Sequence, residues 1–220
     1  MINRSWLVAS DIHGSADLWD SIYDEVERYK TITTVVLCGD LTNSGVNPST
    51  LVDSSSEYVD FLLAQYNVKR LGELVPLYWI PGNHDHGIGA SDFDFHNVHN
   101  IDNRTVEIDG LSVHGINQSP CFDLPWLAQE WRNMSDRPEV DAAAFGFEPV
   151  DIVVSHCPPL GILDRIGDAS AGSPALRQYI LDYKPKHIFC GHVHEHGGEV
   201  AHLGETNIAN MATTFQVFDI

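Results

Sequence analysis

The sequence predicts an α/β protein built on a mostly parallel β-sheet, and two observations support that fold class. Short apolar runs alternate with segments whose apolar residues recur every three or four positions, as strands alternate with amphipathic helices. Five of the apolar runs also end directly at an Asp, Asn or His. Because open α/β sheets bind ligands beyond the carboxyl ends of their strands, the second pattern predicts a functional site at that edge.

The first half of the chain has the order strand, helix, strand, helix, strand. Strands are predicted at residues 6–10, at about 33–38 and in the run that ends at Ile80. One-sided apolar spacing predicts the two helices, at Leu18, Ile22, Val26 and Tyr29, and at Val52, Ser55, Val59, Leu62 and Tyr66. This βαβαβ order predicts parallel strands joined by right-handed crossovers.

The middle of the chain is more polar and less regular. Residues 86–104 are interpreted as a loop beside the site. Asp109-Gly110 lies between the apolar runs 105–108 and 111–115, which is a β-hairpin signal. Residues 117–149 are predicted to form a short helix and a cap over the core, with Trp126, Trp131 and Phe145 packed inside.

The second half returns to alternating strands and helices. A strand at 151–155 precedes a helix that starts at Pro174, with Ser173 as its cap, and ends near Tyr183. A further strand at 186–190 is followed by three predicted closing antiparallel strands, at 199–202, 206–210 and 215–220. Since no segment resembles a linker or a repeat, we expect a single domain over residues 1–220.

Charge and hydropathy exclude several classes of partner. The formal net charge is −19, from 31 acidic and 12 basic residues, with no cluster of Lys and Arg to follow a nucleic-acid backbone. No run is long and apolar enough to span a bilayer, and the amino terminus lacks the features of a secretory signal. We therefore expect a soluble, cytoplasmic protein that binds neither nucleic acid nor membrane.

The four cysteines, Cys38, Cys121, Cys157 and Cys190, indicate no disulfide framework. No two of them have the close spacing of a thiolate zinc site, and three lie beside the strand ends described below. Free buried thiols are the favoured interpretation, with a redox role as the minor alternative.

The polar residues at the five strand ends are carboxylates, imidazoles and one amide. They are Asp11, His13, Asp40, Asn83, His84, Asp85, His156, His192 and His194. Mixed nitrogen and oxygen donors without thiolates suit Mn²⁺, Fe²⁺/Fe³⁺ or Zn²⁺. Each of these motifs alone is an ordinary turn, a helix cap or a core histidine, but five in order after five strands predict a metal site.

The pattern favours two metal ions over one. Asp40 stands alone at a central strand end and is the candidate bridging carboxylate. Two ions roughly 3.5–4 Å apart would hold a hydroxide for in-line attack on a phosphoryl group. His84 is the extra imidazole, predicted to protonate the leaving oxygen or bind a phosphoryl oxygen, with Asp85 orienting it.

The remaining histidines are interpreted as structural or surface residues, with two exceptions. They are His86, His96, His99, His114, His187, His196 and His202. His114 and His187 lie in predicted strands, whereas His86 and His196 follow site motifs and could touch substrate. Arg104 and Arg165 are weaker candidates for a phosphate contact.

The motifs together resemble the calcineurin-like metallophosphoesterase superfamily. Its blocks Asp-x-His, Gly-Asp, Gly-Asn-His-Asp, a lone His and Gly-His-x-His all occur in order from Asp11 to His194. The resemblance implies a four-layer α/β/β/α sandwich with two metal ions and His84 as the catalytic histidine. The implied first metal ligands are Asp11, His13, Asp40 and His194, and the implied second ligands are Asp40, Asn83, His156 and His192.

Within the superfamily, the second half is similar to the branch of metallophosphoesterase-domain-containing, class III cyclic nucleotide phosphodiesterase-like proteins. That similarity rests on residues 155–164, Gly172-Ser173 and residues 191–195. The Ser/Thr protein phosphatases carry Asp-Arg-Gly shortly after their Gly-Asp, but this chain has Leu41-Thr42-Asn43-Ser44-Gly45 there, without the arginine. We therefore expect hydrolysis of a small phosphodiester, with a phosphomonoesterase or a metal-bound scaffold without turnover as alternatives and a nuclease disfavoured by charge.

Overall fold

Two β-sheets stack face to face with helices on their outer faces, in a computed structural model that describes residues 4–43, 56–85, 87–120 and 134–220. The helices are α1 (Ala16–Arg28), α2 (Ser56–Gly72), α3 (Pro138–Ala144) and α4 (Pro174–Tyr183). The strands are β1 (Ser5–Ser10), β2 (Ile32–Leu37), β3 (Leu77–Trp79), β4 (Val98–Asn100), β5 (Thr105–Ile108), β6 (Leu111–Ile116), β7 (Ser119–Pro120), β8 (Met134–Ser135), β9 (Ile152–Ser155), β10 (Arg165–Ile166), β11 (Ala169–Ser170), β12 (His187–Cys190), β13 (Val200–Leu203), β14 (Thr206–Asn210) and β15 (Thr214–Asp219).

Both sheets have a parallel centre and antiparallel edges. The first has the order β15-β1-β2-β3-β4, with β15 antiparallel to β1 and the other four strands parallel. The second has the order β13-β14-β12-β9-β6-β5, with β14, β12, β9 and β6 parallel and the two edge strands antiparallel. Two short pairs, β7 with β8 and β10 with β11, lie outside these sheets.

The alternation of side chains along β1 shows how the layers form. Trp6 and Val8 pack in the cluster between the sheets, whereas Leu7 and Ala9 pack against the helices on the other face. This is the two-residue period of a strand that is buried on both faces. Helices α1 and α2 cover the first sheet and α4 covers the second, so the four-layer α/β/β/α order is confirmed.

Most predicted elements are confirmed, including the cap of α4. The Ser173 hydroxyl accepts from Leu176 N at 2.9 Å with Pro174 in the first turn of α4. The predicted hairpin turns at Asp109 (φ 53°) and Gly110 (φ 84°), between the paired residues Ile108 and Leu111. None of the helices in the described ranges has the length and apolar character needed to cross a bilayer.

One prediction about secondary structure is wrong. Residues 86–104, predicted as a loop, contain a 3-10 turn at Ala90–Phe93 and strand β4, which pairs parallel with β3. Strand β4 is only three residues long and mostly polar, so it carries no periodic signal. The three predicted closing strands do pair antiparallel, β13 with β14 and β15 with β1. On its other side β14 runs parallel to β12, a pairing that the strand's own sequence does not indicate.

Several predictions fall on residues outside the described ranges. These are the start of the second helix at Val52 and Ser55, the packing of Trp126 and Trp131, the state of Cys121 and the role of His86. Helix α2 continues to Gly72, beyond the apolar pattern that ends at Tyr66. The short helix predicted within 117–149 is α3.

A buried histidine in β6 makes stability depend on pH. The His114 ring stacks on Phe147, with ring centroids 3.7 Å apart, and its Nδ1 lies 2.8 Å from the Thr105 hydroxyl. Burial lowers the pKa of His114 to about 4. The unfolded chain therefore binds a proton between about pH 4 and 6.5 that the folded chain does not, so stability falls as pH falls through this window.

We expect His114→Phe to remove this contribution while keeping a ring against Phe147. When the pH is lowered from 7.5 to 5, the free energy of unfolding of the wild type should fall by about 1–2 kcal/mol more than that of the variant. Urea unfolding in EDTA, with both proteins at both pH values, measures the change. The same difference at both pH values would contradict the assignment to His114.

Candidate metal centre

The carboxyl ends of parallel strands from both sheets meet at one edge of the sandwich. Asp11 and His13 follow β1, Asp40 follows β2, and the segment 83–85 follows β3. His156 follows β9 in the second sheet, and His192 and His194 follow β12. The structure therefore brings together side chains that lie as far as 183 residues apart, such as Asp11 and His194.

Asp11, His13 and His194 form the first group of donor atoms. His194 Nε2 lies 3.2 Å from Asp11 Oδ1 and 3.2 Å from His13 Nε2. His13 Nε2 lies 3.7 Å from the same Asp11 oxygen. Donors bound at about 2.0–2.2 Å to one ion lie about 3–3.6 Å apart, so this group has nearly the spacing of a coordination shell.

Asp40 lies between the first group and a second one. Its Oδ2 is 3.9 Å from His13 Nε2 on one side and 3.3 Å from His156 Nε2 on the other. His156 Nε2 also lies 2.9 Å from Asn83 Oδ1. A single carboxylate thus faces an imidazole of each group, which is the placement that a bridging residue needs.

His192 is the predicted ligand that the structure places less closely. Its ring lies beside that of His156, with centroids 5.1 Å apart, and its backbone N–H donates to Asp11 Oδ2 at 2.9 Å. Within the described ranges, three groups of His and Asp side chains have all donor atoms within 4.8 Å of one another, and His192 is in none of them. His13 and His194, in contrast, both belong to these groups.

The backbone at this edge is held in an unusual conformation. Asp11, His13, Asp40 and His192 all have positive φ, between 47° and 70°. Such left-handed geometry costs free energy for a residue with a Cβ, and it concentrates at functional sites where the surrounding structure enforces it. It lets each strand curl at its end, so that Asp11 and His13 both face the centre.

Glycines of the motifs allow the ligand groups to approach the backbone. A Cβ on Gly82 would lie 2.1 Å from Asp40 Oδ1, and one on Gly191 would lie 2.1 Å from Asp11 Oδ2. A Cβ on Gly39, whose φ is +100°, would lie 2.7 Å from His156 Nδ1. All three glycines are therefore required by packing, and Gly39 is also required by its positive φ.

The buried carboxylates stay ionised because imidazoles surround them. Burial opposes ionisation of Asp11, but hydrogen bonds from His13 and His194 outweigh it and hold the pKa of Asp11 well below its usual value. Burial likewise opposes ionisation of Asp40, and the charge of His156 outweighs it and lowers the pKa of Asp40. The centre is therefore negative and attracts cations.

The two histidines of the second group differ in protonation. Burial disfavours charge on His156, but Asp40 and Asp11 dominate and raise the pKa of His156 to about 10. Burial and the neighbouring His156 lower the pKa of His192 to about 4. The proton on His156 balances the buried carboxylates, and a metal cation binding there would replace it.

Asp85 has a different environment from the one predicted. Its carboxylate is 1% exposed and accepts from the backbone N–H groups of Leu41, Thr42 and Gly82, at 3.1, 2.9 and 3.0 Å. His84 Nδ1 instead faces the carbonyl oxygen of Asn43 at 2.7 Å. Asp85 therefore ties the β2 and β3 loops together, and Asn43 is the group that holds the imidazole.

Two groups that hold the histidine rings could not be identified from residue types. They are the carbonyl oxygens of Asn43 and Cys38, the latter 2.8 Å from His156 Nδ1. Each fixes the tautomer and orientation of its imidazole, as partners of metal-ligating histidines do. Backbone carbonyls occur at every position, so the sequence carries no signal for these roles.

The structure fits the structural roles predicted for His114, His187 and the three described cysteines. His114 and His187 stack on phenylalanines within the second sheet, and His196 Nδ1 lies 3.1 Å from Glu199 Oε2. Cys38, Cys157 and Cys190 are free and buried. Burial raises the pKa of Cys38 and Cys190 well above the usual value, so these thiols stay protonated.

Comparison with known proteins assigns the family. The family model described as calcineurin-like phosphoesterase matches residues 6–196, and the chain belongs to that family. The UPF0046 protein K07C11.7 of Caenorhabditis elegans is 32% identical over 132 residues, which cover 58% of this chain. The match spans 43% of the length of that relative.

Solved structures share the fold at low sequence identity. The protein TT1561 of Thermus thermophilus superposes with a TM-score of 0.61 at 13% identity, over 99% of each chain. The phosphopantetheinyl hydrolase PptH of Mycobacterium tuberculosis superposes with a TM-score of 0.60 at 13% identity, over 97% of this chain and 90% of that one. Members of this family use divalent metals, which fits the donor groups around Asp40.

Proposed function

We propose that this chain is a binuclear metal-dependent phosphoesterase that hydrolyses a small phosphodiester of the cyclic-nucleotide type. The observation that supports the proposal most directly is the position of Asp40, with His13 at 3.9 Å on one side and His156 at 3.3 Å on the other. A carboxylate in that position offers one site to each of two cations. The metals that suit these donors are Mn²⁺, Fe²⁺/Fe³⁺ and Zn²⁺.

Seven side chains would hold the two ions. They are Asp11, His13, Asp40, Asn83, His156, His192 and His194. When bound, the ions supply positive charge at the phosphoryl oxygens and lower the pKa of water. The protein supplies fixed ligand positions, set by the left-handed backbone at Asp11, His13 and Asp40.

His84 is positioned to act as the general acid. Its Nδ1–H donates to Asn43 O, which fixes the orientation of the ring, and its Nε2 would carry the proton that passes to the leaving oxygen. The ring lies edge-on to His13, with centroids 4.7 Å apart, so it lies next to the first group of donors. Asp85 contributes by fixing the backbone of residues 41–42 and not by contacting the ring of His84.

Charge and motif content favour a small diester substrate. With a net charge of −19, the chain repels long polyanions except at a cation-bearing site. Residues 41–45, Leu-Thr-Asn-Ser-Gly, lack the arginine that protein phosphatases carry shortly after their Gly-Asp. A phosphomonoesterase is the alternative within the same fold.

The protein loaded with Mn²⁺ is expected to hydrolyse bis-(p-nitrophenyl) phosphate faster than p-nitrophenyl phosphate. His84→Ala should lower the diesterase rate by about 100-fold or more, since it removes the general acid. The matched control His202→Ala removes an exposed histidine from strand β13 and should leave the rate unchanged. Wild type that prefers the monoester would support the phosphomonoesterase instead.

Metal titration separates an enzyme from a scaffold. Activity in a screen of 2′,3′- and 3′,5′-cyclic nucleotides should rise with metal occupancy and saturate near two ions per chain. A protein that binds metal tightly but hydrolyses none of these esters would overturn the enzymatic proposal and favour a binding role.

A further inference from the structure

A small hairpin lies beside the metal centre and has no part in the metal-binding motifs. It is formed by β10 and β11, and it packs against the turn at His194–His196. His194 itself has a side chain that is 49% exposed, so this side of the centre is open to solvent. The hairpin therefore lies beside an exposed candidate metal ligand.

The base of the hairpin is rigidly held. Leu163, immediately before it, has a φ of 56°, an unfavourable conformation for a bulky residue. The next residue, Asp164, is 1% exposed, and its Oδ2 accepts from Gly161 N at 2.8 Å and from the Ser170 hydroxyl. Its carbonyl oxygen accepts from Ala171 N at 2.9 Å. A strained, buried anchor of this kind indicates that the position of the hairpin matters.

The hairpin presents an arginine that is available for binding. Arg165 is exposed, and its Nη2 donates to the carbonyl oxygen of Asp168 at the tip of the hairpin. Among the residues that the structure describes, no carboxylate is paired with it, although 31 acidic residues occur in the chain. Arg4, Arg70 and Lys186 are each paired with an aspartate.

We propose that Arg165 is a specificity residue that binds a second anionic group on the substrate, beyond the phosphoryl group at the metals. The inference rests on the proposed function, which it refines by naming the substrate class as a phosphodiester with an additional phosphate or carboxylate. A guanidinium has five N–H donors, so the bond to Asp168 leaves donors for two oxygens of such a group. The contact to Asp168 pre-orients the side chain and so lowers the entropy cost of binding.

Two nucleotides that differ by one phosphate test this role. They are adenosine 2′,3′-cyclic phosphate and the same compound with a 5′-phosphate. Their dissociation constants are measured by calorimetry with Mn²⁺ in the His84→Ala background, where turnover is slow, and KM and kcat are measured in the otherwise wild-type enzyme. We expect the 5′-phosphate to tighten binding about tenfold when Arg165 is present.

Arg165→Gln should erase the preference for the 5′-phosphate, by raising KM with little change in kcat. Arg165→Lys should restore part of it, because the charge is kept but the bidentate geometry is lost. Arg28→Gln is the matched control, since it removes one exposed positive charge from the end of α1. It should keep the full preference.

The assignment would be overturned by equal binding of both nucleotides when Arg165 is present, by an undiminished preference in Arg165→Gln, or by an equal loss of preference in Arg28→Gln. Absence of binding to both compounds would also overturn it. If the preference depends on Arg165 but the otherwise wild-type enzyme hydrolyses neither compound, the proposed function fails and the anion site stands.

Discussion

Under the proposed function, Asp40→Asn is expected to lower the rate on bis-(p-nitrophenyl) phosphate by about 1,000-fold or more and to reduce bound metal from two ions to one or none. The amide keeps the size of the carboxylate and can still accept from His84 N, which lies 2.7 Å from Asp40 Oδ1. It lacks the negative charge that faces both His13 and His156. The bound ions would stabilise the transition state by several kcal/mol. Loss of that stabilisation corresponds to a rate decrease of about 1,000-fold or more.

Elemental analysis of dialysed protein, together with the rate on bis-(p-nitrophenyl) phosphate, measures both effects of Asp40→Asn. Asp182→Asn is the matched control, because it makes the same chemical change at an exposed position on α4. An Asp40→Asn protein that retains two ions and a rate within about tenfold of wild type would show that Asp40 does not bridge them.

Gly82→Ala is expected to disrupt the centre although it adds a single methyl group. The new Cβ would lie 2.1 Å from Asp40 Oδ1, 2.5 Å from Asp40 N and 2.6 Å from His156 Cε1. Asp40 Oδ1 and His156 Cε1 belong to candidate metal ligands. Asp40 N belongs to the backbone that positions the Asp40 side chain. A displacement of about 1 Å costs about 100-fold in rate, and overpacking costs about 1–3 kcal/mol of stability.

Gly89→Ala provides the control for this effect. Gly89 has a φ of −118°, and the nearest atom to its added Cβ would be Asp92 Oδ2 at 3.8 Å. Its rate and metal content should match those of wild type. The measurements are kcat, metal stoichiometry and urea unfolding for both variants. A fully active Gly82→Ala protein would mean that the loops of Asp40 and His156 can move apart without loss of function.

The candidate site was more predictable from the sequence than its surroundings. Each candidate donor lies in the loop after a buried strand, and the carboxyl ends of parallel strands meet at one edge, so the sequence pattern was sufficient to select Asp11, Asp40 and His156 as candidates. The predicted link between Asp85 and His84 rests on adjacency in sequence, and the structure shows a different arrangement. Asp85 contacts the backbone of residues 41 and 42, a contact between loops that sequence order does not reveal.

The amino-acid sequence by itself determined the alternation of strands and helices, the cap of α4 and the hairpin at Asp109-Gly110, and it selected the candidate donor residues, because each depends on a local pattern. The tertiary structure decided the pairing of β4 and the direction of β14, which depend on neighbouring strands. It also decided that the Asn43 carbonyl holds His84 and that the hairpin carrying Arg165 borders His194. Such contacts join residues far apart in the chain, and their free energy arises only when both sheets are assembled.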